Sequence, residues 1–355
     1  MKSIEFPSII FRKKRFDKSA SIFIVVFGLL FVLLLPILIN REAGPDALTL
    51  WNSYARADSC DFWSPFSDSR SSYECTAYVL RPTGIDLKNA WTYGLACNFL
   101  LTFLPFLFFR RIPFSIFAAM LAWASIRGFF LENLTKEILV AVTVIIILVG
   151  ALRKHAVVGI LAAGLMYGIM IRPYWVLASA TWVGLVIIRP RLSKVRFILL
   201  LFLYYLLAAL AIHGVLGGTL TGFRQSSNEM RTLGEEGSRS LIVSIFNGGD
   251  VISQTIDTIL IFFRLAFPVE LIKLSGPSQI VFVSLTAFTV VQSIRLFVED
   301  KLNRSAATVM AFPIAFLMVQ AIFEPDFGSF ARHFSMIAPI AFAGMGLYLS
   351  HRVEA

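Results

Sequence analysis

The stretch TKEILVAVTVIIILVGALRKHAVVGILAAGLMYGIMIRPYW, residues 135–175, decides the fold class. Two apolar runs, 137–152 and 156–171, are parted only by Arg153, Lys154 and His155, and charge returns at Lys136 and Arg172. A soluble surface helix shows one apolar stripe and one polar face. These runs are apolar all round, as in a helix immersed in lipid or in other helices. Their length approaches the ~20 residues that carry a helix across the hydrocarbon layer.

The same signature recurs along the chain. Apolar segments fall at roughly 20–40, 90–109, 112–130, 137–152, 156–171, 174–188, 197–215, 278–297, 305–322 and 334–350, which predicts about ten spans. A further segment, 253–267, is interrupted by Arg264 and followed by Pro268. It reads as re-entrant or interfacial, because a full span there would invert everything after it. The expectation is an all-α polytopic membrane protein, one transmembrane domain over residues 1–355, with two long outer loops at 41–89 and 216–277. Composition agrees: 57% of the 355 residues are hydrophobic and 15% charged, with a mean hydropathy of +0.76, outside the soluble range.

A net charge of +10 would suggest nucleic acid in a soluble chain, but here the charges follow topology. With the N-terminus inside, the inner segments carry +13 and the outer segments −3, in keeping with the positive-inside rule. The basic residues before residue 20 precede an apolar run without an A-x-A-like site, so this run reads as an uncleaved first span rather than a removed signal. Both termini are then expected in the cytoplasm. Cys60 and Cys75 share the first outer loop, where one loop-closing disulfide would suit an oxidising compartment. Trp51, Tyr54, Trp63, Tyr73 and Tyr78 supply that loop with aromatic surface for a small ordered cap, and the more polar second loop suits a lid.

Phosphate-loop, H-E-x-x-H, paired-Cys zinc and G-x-S-x-G motifs are all missing from the sequence, so neither a metal nor a nucleotide cofactor is expected. Ionisable residues cluster instead at the outer ends of spans, where proximity to lipid makes them costly. Arg127, Glu132, Lys136 and Glu137 form one group, although Glu132 and Lys136 also have the spacing of a simple helical ion pair. Arg172, Pro173 and Tyr174 form a second, which equally fits a snorkelling arginine with an interfacial aromatic. Arg224, Arg231 and Arg239 lie in the second loop, near Arg264. Their being arginine favours forked oxyanion binding, although a solvated loop face also accounts for them.

The densest group is FEPDFGSFARHF, with Glu324, Asp326, Ser329, Arg332 and His333 between two spans. Pro325 and Gly328 alone would make the turn, so two acids, an arginine and a histidine exceed what it requires. Asp46, after Gly44 and Pro45, is either a turn residue or a general base for an acceptor hydroxyl. Arginines beside an apolar interior suit an amphiphile with an anionic head, such as a polyprenyl diphosphate that arrives laterally from the bilayer.

Gly44-Pro45-Asp46 after the first span, Thr135-Lys136-Glu137, Arg172-Pro173-Tyr174 and the late E-P-D-F-G-S-F-A-R-H segment together resemble the Wzy-type and related exopolysaccharide polymerases of bacterial envelopes, the O-antigen polymerases among them. The resemblance covers most of the chain as topology and about 20 residues as motif. It implies an inner-membrane, metal-independent glycosyltransferase that joins oligosaccharide repeat units carried on undecaprenyl diphosphate at the periplasmic face. A flippase and a chain-length regulator of the same pathway would be its partners, and nucleic acid would not. On this resemblance Arg172 and the second-loop arginines would bind diphosphate, with Arg127, Lys136, Tyr174 and Arg332 lining the substrate site. His333 or Asp46 would be the base, with Glu324 and Asp326 beside them. Three other readings share the topology: a C-type glycosyltransferase or ligase using the same class of donor, a flippase for lipid-linked sugars, and a non-catalytic partner of an envelope complex.

Overall fold

The computed structural model describes residues 45–54, 60, 71–189, 192–232, 240–246, 249–274, 277–299 and 303–354. The expected first span and Arg239 lie outside these residues, as do the side chains of Asp46 and Arg231. The described residues form helices and connections. Two short helices, α1 (Pro45–Tyr54) and α2 (Ser71–Leu80), lie in the described part of the first loop. The bundle follows with α3 (Ala90–Phe106), α4 (Phe114–Leu131), α5 (Glu137–Leu152), α6 (Ala156–Met170), α7 (Tyr174–Ile188) and α8 (Lys194–Leu216). The second loop contributes α9 (Gly222–Thr232) and α10 (Val251–Ala266), and α11 (Pro277–Phe297), α12 (Arg304–Phe323) and α13 (Phe327–Glu354) complete the order.

Five of these helices, α4, α8, α11, α12 and α13, are long and apolar enough to cross a bilayer, while α3, α5, α6 and α7 are apolar but shorter. The protein is membrane-embedded and its described part is all-helical. Its centre is the α12–α13 hairpin: α12 is buried over nearly its whole length, whereas α8 buries only a narrow face. Around the hairpin stand α3, α4, α5, α7, α10 and α11.

Helix association in lipid gains little from the hydrophobic effect, so close packing and interhelical hydrogen bonds take its place. Small residues provide the packing. A Cβ on Gly150 of α5 would lie 3.1 Å from the Cα of Gly159 on α6, so the two backbones meet where neither has a side chain. The hydrogen bonds come from polar groups on otherwise apolar helices. Trp182 Nε1 of α7 donates to the Thr308 carbonyl of α12 at 2.7 Å, Tyr205 Oη of α8 donates to the Met318 carbonyl at 3.0 Å, and Trp123 Nε1 of α4 donates to Thr289 Oγ1 of α11 at 2.9 Å.

Local signals move several boundaries away from the hydropathy pattern. Ser193 accepts from the Arg196 N–H and starts α8 at Lys194, before the apolar run. Asp326 Oδ1 accepts from the Ser329 N–H at 2.8 Å, so α13 begins at Phe327 rather than 334. Ser329, Arg332 and His333 therefore lie on a helix, and only Pro325 and Asp326 separate α13 from Glu324, the last cap of α12. Residues 253–266 form most of the continuous helix α10, capped by Asp250, with Arg264 in its last turn, and it ends before Phe267 and Pro268. Glu132 and Lys136 lie in the α4–α5 connection and share no helix, so the helical ion-pair reading does not apply.

Candidate functional site

Neighbouring spans run in opposite directions, which brings the start of α5, the end of α6, the start of α7, the end of α12 and the start of α13 to one end of the bundle. There Nδ1 of His333, on α13, lies 3.0 Å from Oε2 of Glu324, at the end of α12. An ionised carboxylate can only accept, so with Glu324 ionised Nδ1 carries the proton and Nε2 keeps its lone pair. His333 Nε2 and Glu324 Oε1 are both buried and have no hydrogen-bond partner among the described residues. The dyad thus has an oriented imidazole with one basic nitrogen to spare.

Two arginines flank it. Arg332 Nε lies 3.3 Å from Glu137 Oε1, in the first turn of α5, and part of its side chain reaches the surface. Arg172 occupies the three-residue turn between α6 and α7, with its guanidinium carbon 5.9 Å from the centre of the Tyr174 ring. Its Nε is buried without a hydrogen-bond partner among the described residues. Arg172 and Arg332 both lie within electrostatic reach of His333, and Arg172 of Glu137 and Tyr167. Tyr174 forms the wall: its ring is 6.0 Å from that of His333 and stacks on Phe323 at 6.4 Å.

A strap of the second loop lies on this end. The Ile242 N–H donates to the Pro325 carbonyl at 2.8 Å and the Phe327 N–H to the Ser240 carbonyl at 2.9 Å, a short antiparallel bridge across the α12–α13 turn. The strap is tied elsewhere too. Arg264 Nη1 donates to the Val243 carbonyl, and Asp257 Oδ1 accepts from the N–H groups of Ile245 and Phe246.

The other sequence candidates occupy different surroundings. Arg224 donates to Asp257 Oδ2 at 2.8 Å and to the Ala321 carbonyl, both buried, and to the part-buried Ser244 Oγ, so it fastens the strap to α10 and α12. Burial pushes its guanidinium down to about 10, against the raising pull of Asp257. Arg127 lies inside the bundle, donating to Asn98 Oδ1, Thr102 Oγ1 and the Ser335 carbonyl, and joins α3, α4 and α13. Lys136 donates to Ser72 Oγ at 2.8 Å and sits over the Tyr73 ring, anchoring the first loop beside Glu137. Asp326 caps α13. Cys60 and Cys75 are joined by a disulfide, which closes the first loop onto α2.

The structure therefore brings together Glu324, Arg332, His333, Arg172 and Tyr174, and adds Glu137 and Tyr167, with the buried Gln320 one turn before Glu324 on α12. Gln320 could have been noticed in the sequence as an amide within an unbroken apolar run, a costly placement. Tyr167 gives no such signal, because a tyrosine near a span end is ordinary. No family model, curated protein or solved structure matches the chain.

Proposed function

We propose that this protein is a metal-independent glycosyltransferase that polymerises oligosaccharide units carried on a polyprenyl diphosphate, acting at the outer face of a bacterial inner membrane. The observation that carries this reading is the Glu324–His333 dyad, with its buried free Nε2, between Arg172 and Arg332 at one end of a lipid-embedded bundle. Each part answers a need of the reaction. The Nε2 lone pair accepts the proton of the attacking sugar hydroxyl while the hydroxyl oxygen bonds to the anomeric carbon. The bond from that carbon to the diphosphate breaks, and the growing charge on the leaving oxygen falls to the arginines. Glu324 holds the imidazole in the required tautomer and stabilises the imidazolium once formed.

About ten spans, with both termini in the cytoplasm, put the site on the periplasmic side under this reading. A flippase is less well supported, because the charged groups gather at one end of the bundle rather than at its middle. A single-sugar transferase or a ligase would use the same dyad and arginines, and product length separates them. Purified protein in liposomes supplied with undecaprenyl-diphosphate-linked repeat units is expected to yield ladders of longer products with release of undecaprenyl diphosphate, while His333→Ala leaves single units. Movement of units across the bilayer with no new glycosidic bond would replace this reading with transport, and addition of a single unit would make it a transferase.

A further inference from the structure

Gln320 plays no part in the reaction outlined above, yet it is a buried polar side chain on the same helix as Glu324. It lies one turn before Glu324 on α12, and the Glu324 N–H donates to its carbonyl. At 100° per residue its side chain projects about 40° from Phe316 on one side and about 40° from Glu324 on the other. Phe316 meets Tyr174 and Trp175 of α7, and Glu324 meets His333 of α13. Gln320 therefore points into the wedge between α7 and α13 that holds His333 and Tyr174. It is 1% exposed, and neither its Oε1 nor its Nε2 has a hydrogen-bond partner among the described residues.

A buried amide with neither end bonded is worse for the fold than a methionine of similar volume, because it gives up its hydration and gains no bond. Its use must lie with a ligand. An amide offers one acceptor and two donors in a plane, which matches neighbouring hydroxyls or an acetamido group on a sugar ring. Aromatic surface to hold the apolar face of such a ring is supplied by Tyr174 and Phe323.

We propose that Gln320 is a specificity-determining residue whose amide hydrogen-bonds a hydroxyl or acetamido group on the sugar ring presented to His333. This rests on the reading of the site as one for lipid-linked sugars. A buried polar group that loses its partner rejects the analogue lacking that group, so the residue selects which sugar is used rather than how fast the bond is made.

The test uses the full-length protein in liposomes, undecaprenyl-diphosphate-linked repeat units, and single-deoxy analogues of those units. Binding is followed by tryptophan fluorescence and transfer by product length. The wild type is expected to prefer one natural unit over one deoxy analogue, and Gln320→Met and Gln320→Glu to shrink that preference at least about tenfold. Gln320→Met should also unfold no earlier than the wild type, whereas a marked loss of thermal stability in that variant would make Gln320 a structural strut and overturn the proposal. Transfer with the preference unchanged in both variants overturns the Gln320 role alone. Selective binding that is lost in the variants, without any transfer, retains the sugar-recognition role and overturns the polymerase reading. Absence of binding in the wild type overturns both.

Discussion

The Arg224–Asp257 pair and the Glu324–His333 pair are both buried near the end of the bundle, yet they are satisfied to different degrees. Asp257 spends one oxygen on Arg224 and the other on two backbone N–H groups, and Arg224 keeps only Nε without a partner among the described residues. Glu324 and His333 satisfy one atom each and leave one each over. A carboxylate with both oxygens bonded is held in place and presents no lone pair to a ligand. A half-bonded one is poorly suited to stabilise a fold and well suited to receive a substrate proton. The difference teaches that burial of an ionisable residue does not by itself mark a site; the unspent lone pair does.

Four substitutions would break or sharpen that contrast. The largest expected effect is Glu324→Gln, which can present its amide N–H to Nδ1 and force the proton onto Nε2. Transfer in liposomes should fall by up to about 10⁴-fold, with the melting temperature in detergent little changed. Next comes Asp257→Ala, which leaves the Arg224 guanidinium buried without its counter-ion and costs about 3–5 kcal/mol of folding stability. It should appear as a lowered thermal midpoint, with transfer per folded molecule preserved; a normal midpoint would refute the strut role. A smaller effect is expected from Arg172→Lys, which keeps the charge but loses the planar fork, so KM for the lipid-linked unit should rise about tenfold while the fold stays intact. The smallest is Ser72→Ala. It removes one acceptor of Lys136 Nζ and should cost up to about 1.5–3 kcal/mol locally, read as faster amide exchange in α2 with the bundle unaffected.

Most of the bundle was legible in the sequence because lipid imposes a length and a polarity that hydropathy records directly. Nine of the apolar windows coincide with helices, and the tenth, 20–40, lies outside the described residues. What hydropathy could not supply was where helices begin, since caps such as Ser193 and Asp326 are polar and extend a helix beyond its apolar run. That is why Arg332 and His333 read as turn residues and turn out to lie on α13. Of the site, the E-P-D-F-G-S-F-A-R-H segment and Arg172 were visible as charges beside lipid. Their pairings were not, because Glu137 and Arg332 are 195 positions apart in the chain and meet only through the packing of α5 against α13. The role of Arg224 was equally hidden: an arginine in a polar loop looks solvated until Asp257, one element later, is seen to cover it.

The position of α12 has a consequence for biogenesis. The helix most shielded from lipid among those described leaves the ribosome only after α3 to α11 have been made. It must therefore enter a membrane in which its neighbours are already inserted but have no centre to pack on, and it reaches its place by displacing lipid from between them. Until residues 304–354 arrive, Arg172 and Glu137 have neither Glu324 nor His333 beside them, so a chain cut short before α12 would expose small-residue and polar faces to lipid, the kind of surface membrane quality control removes.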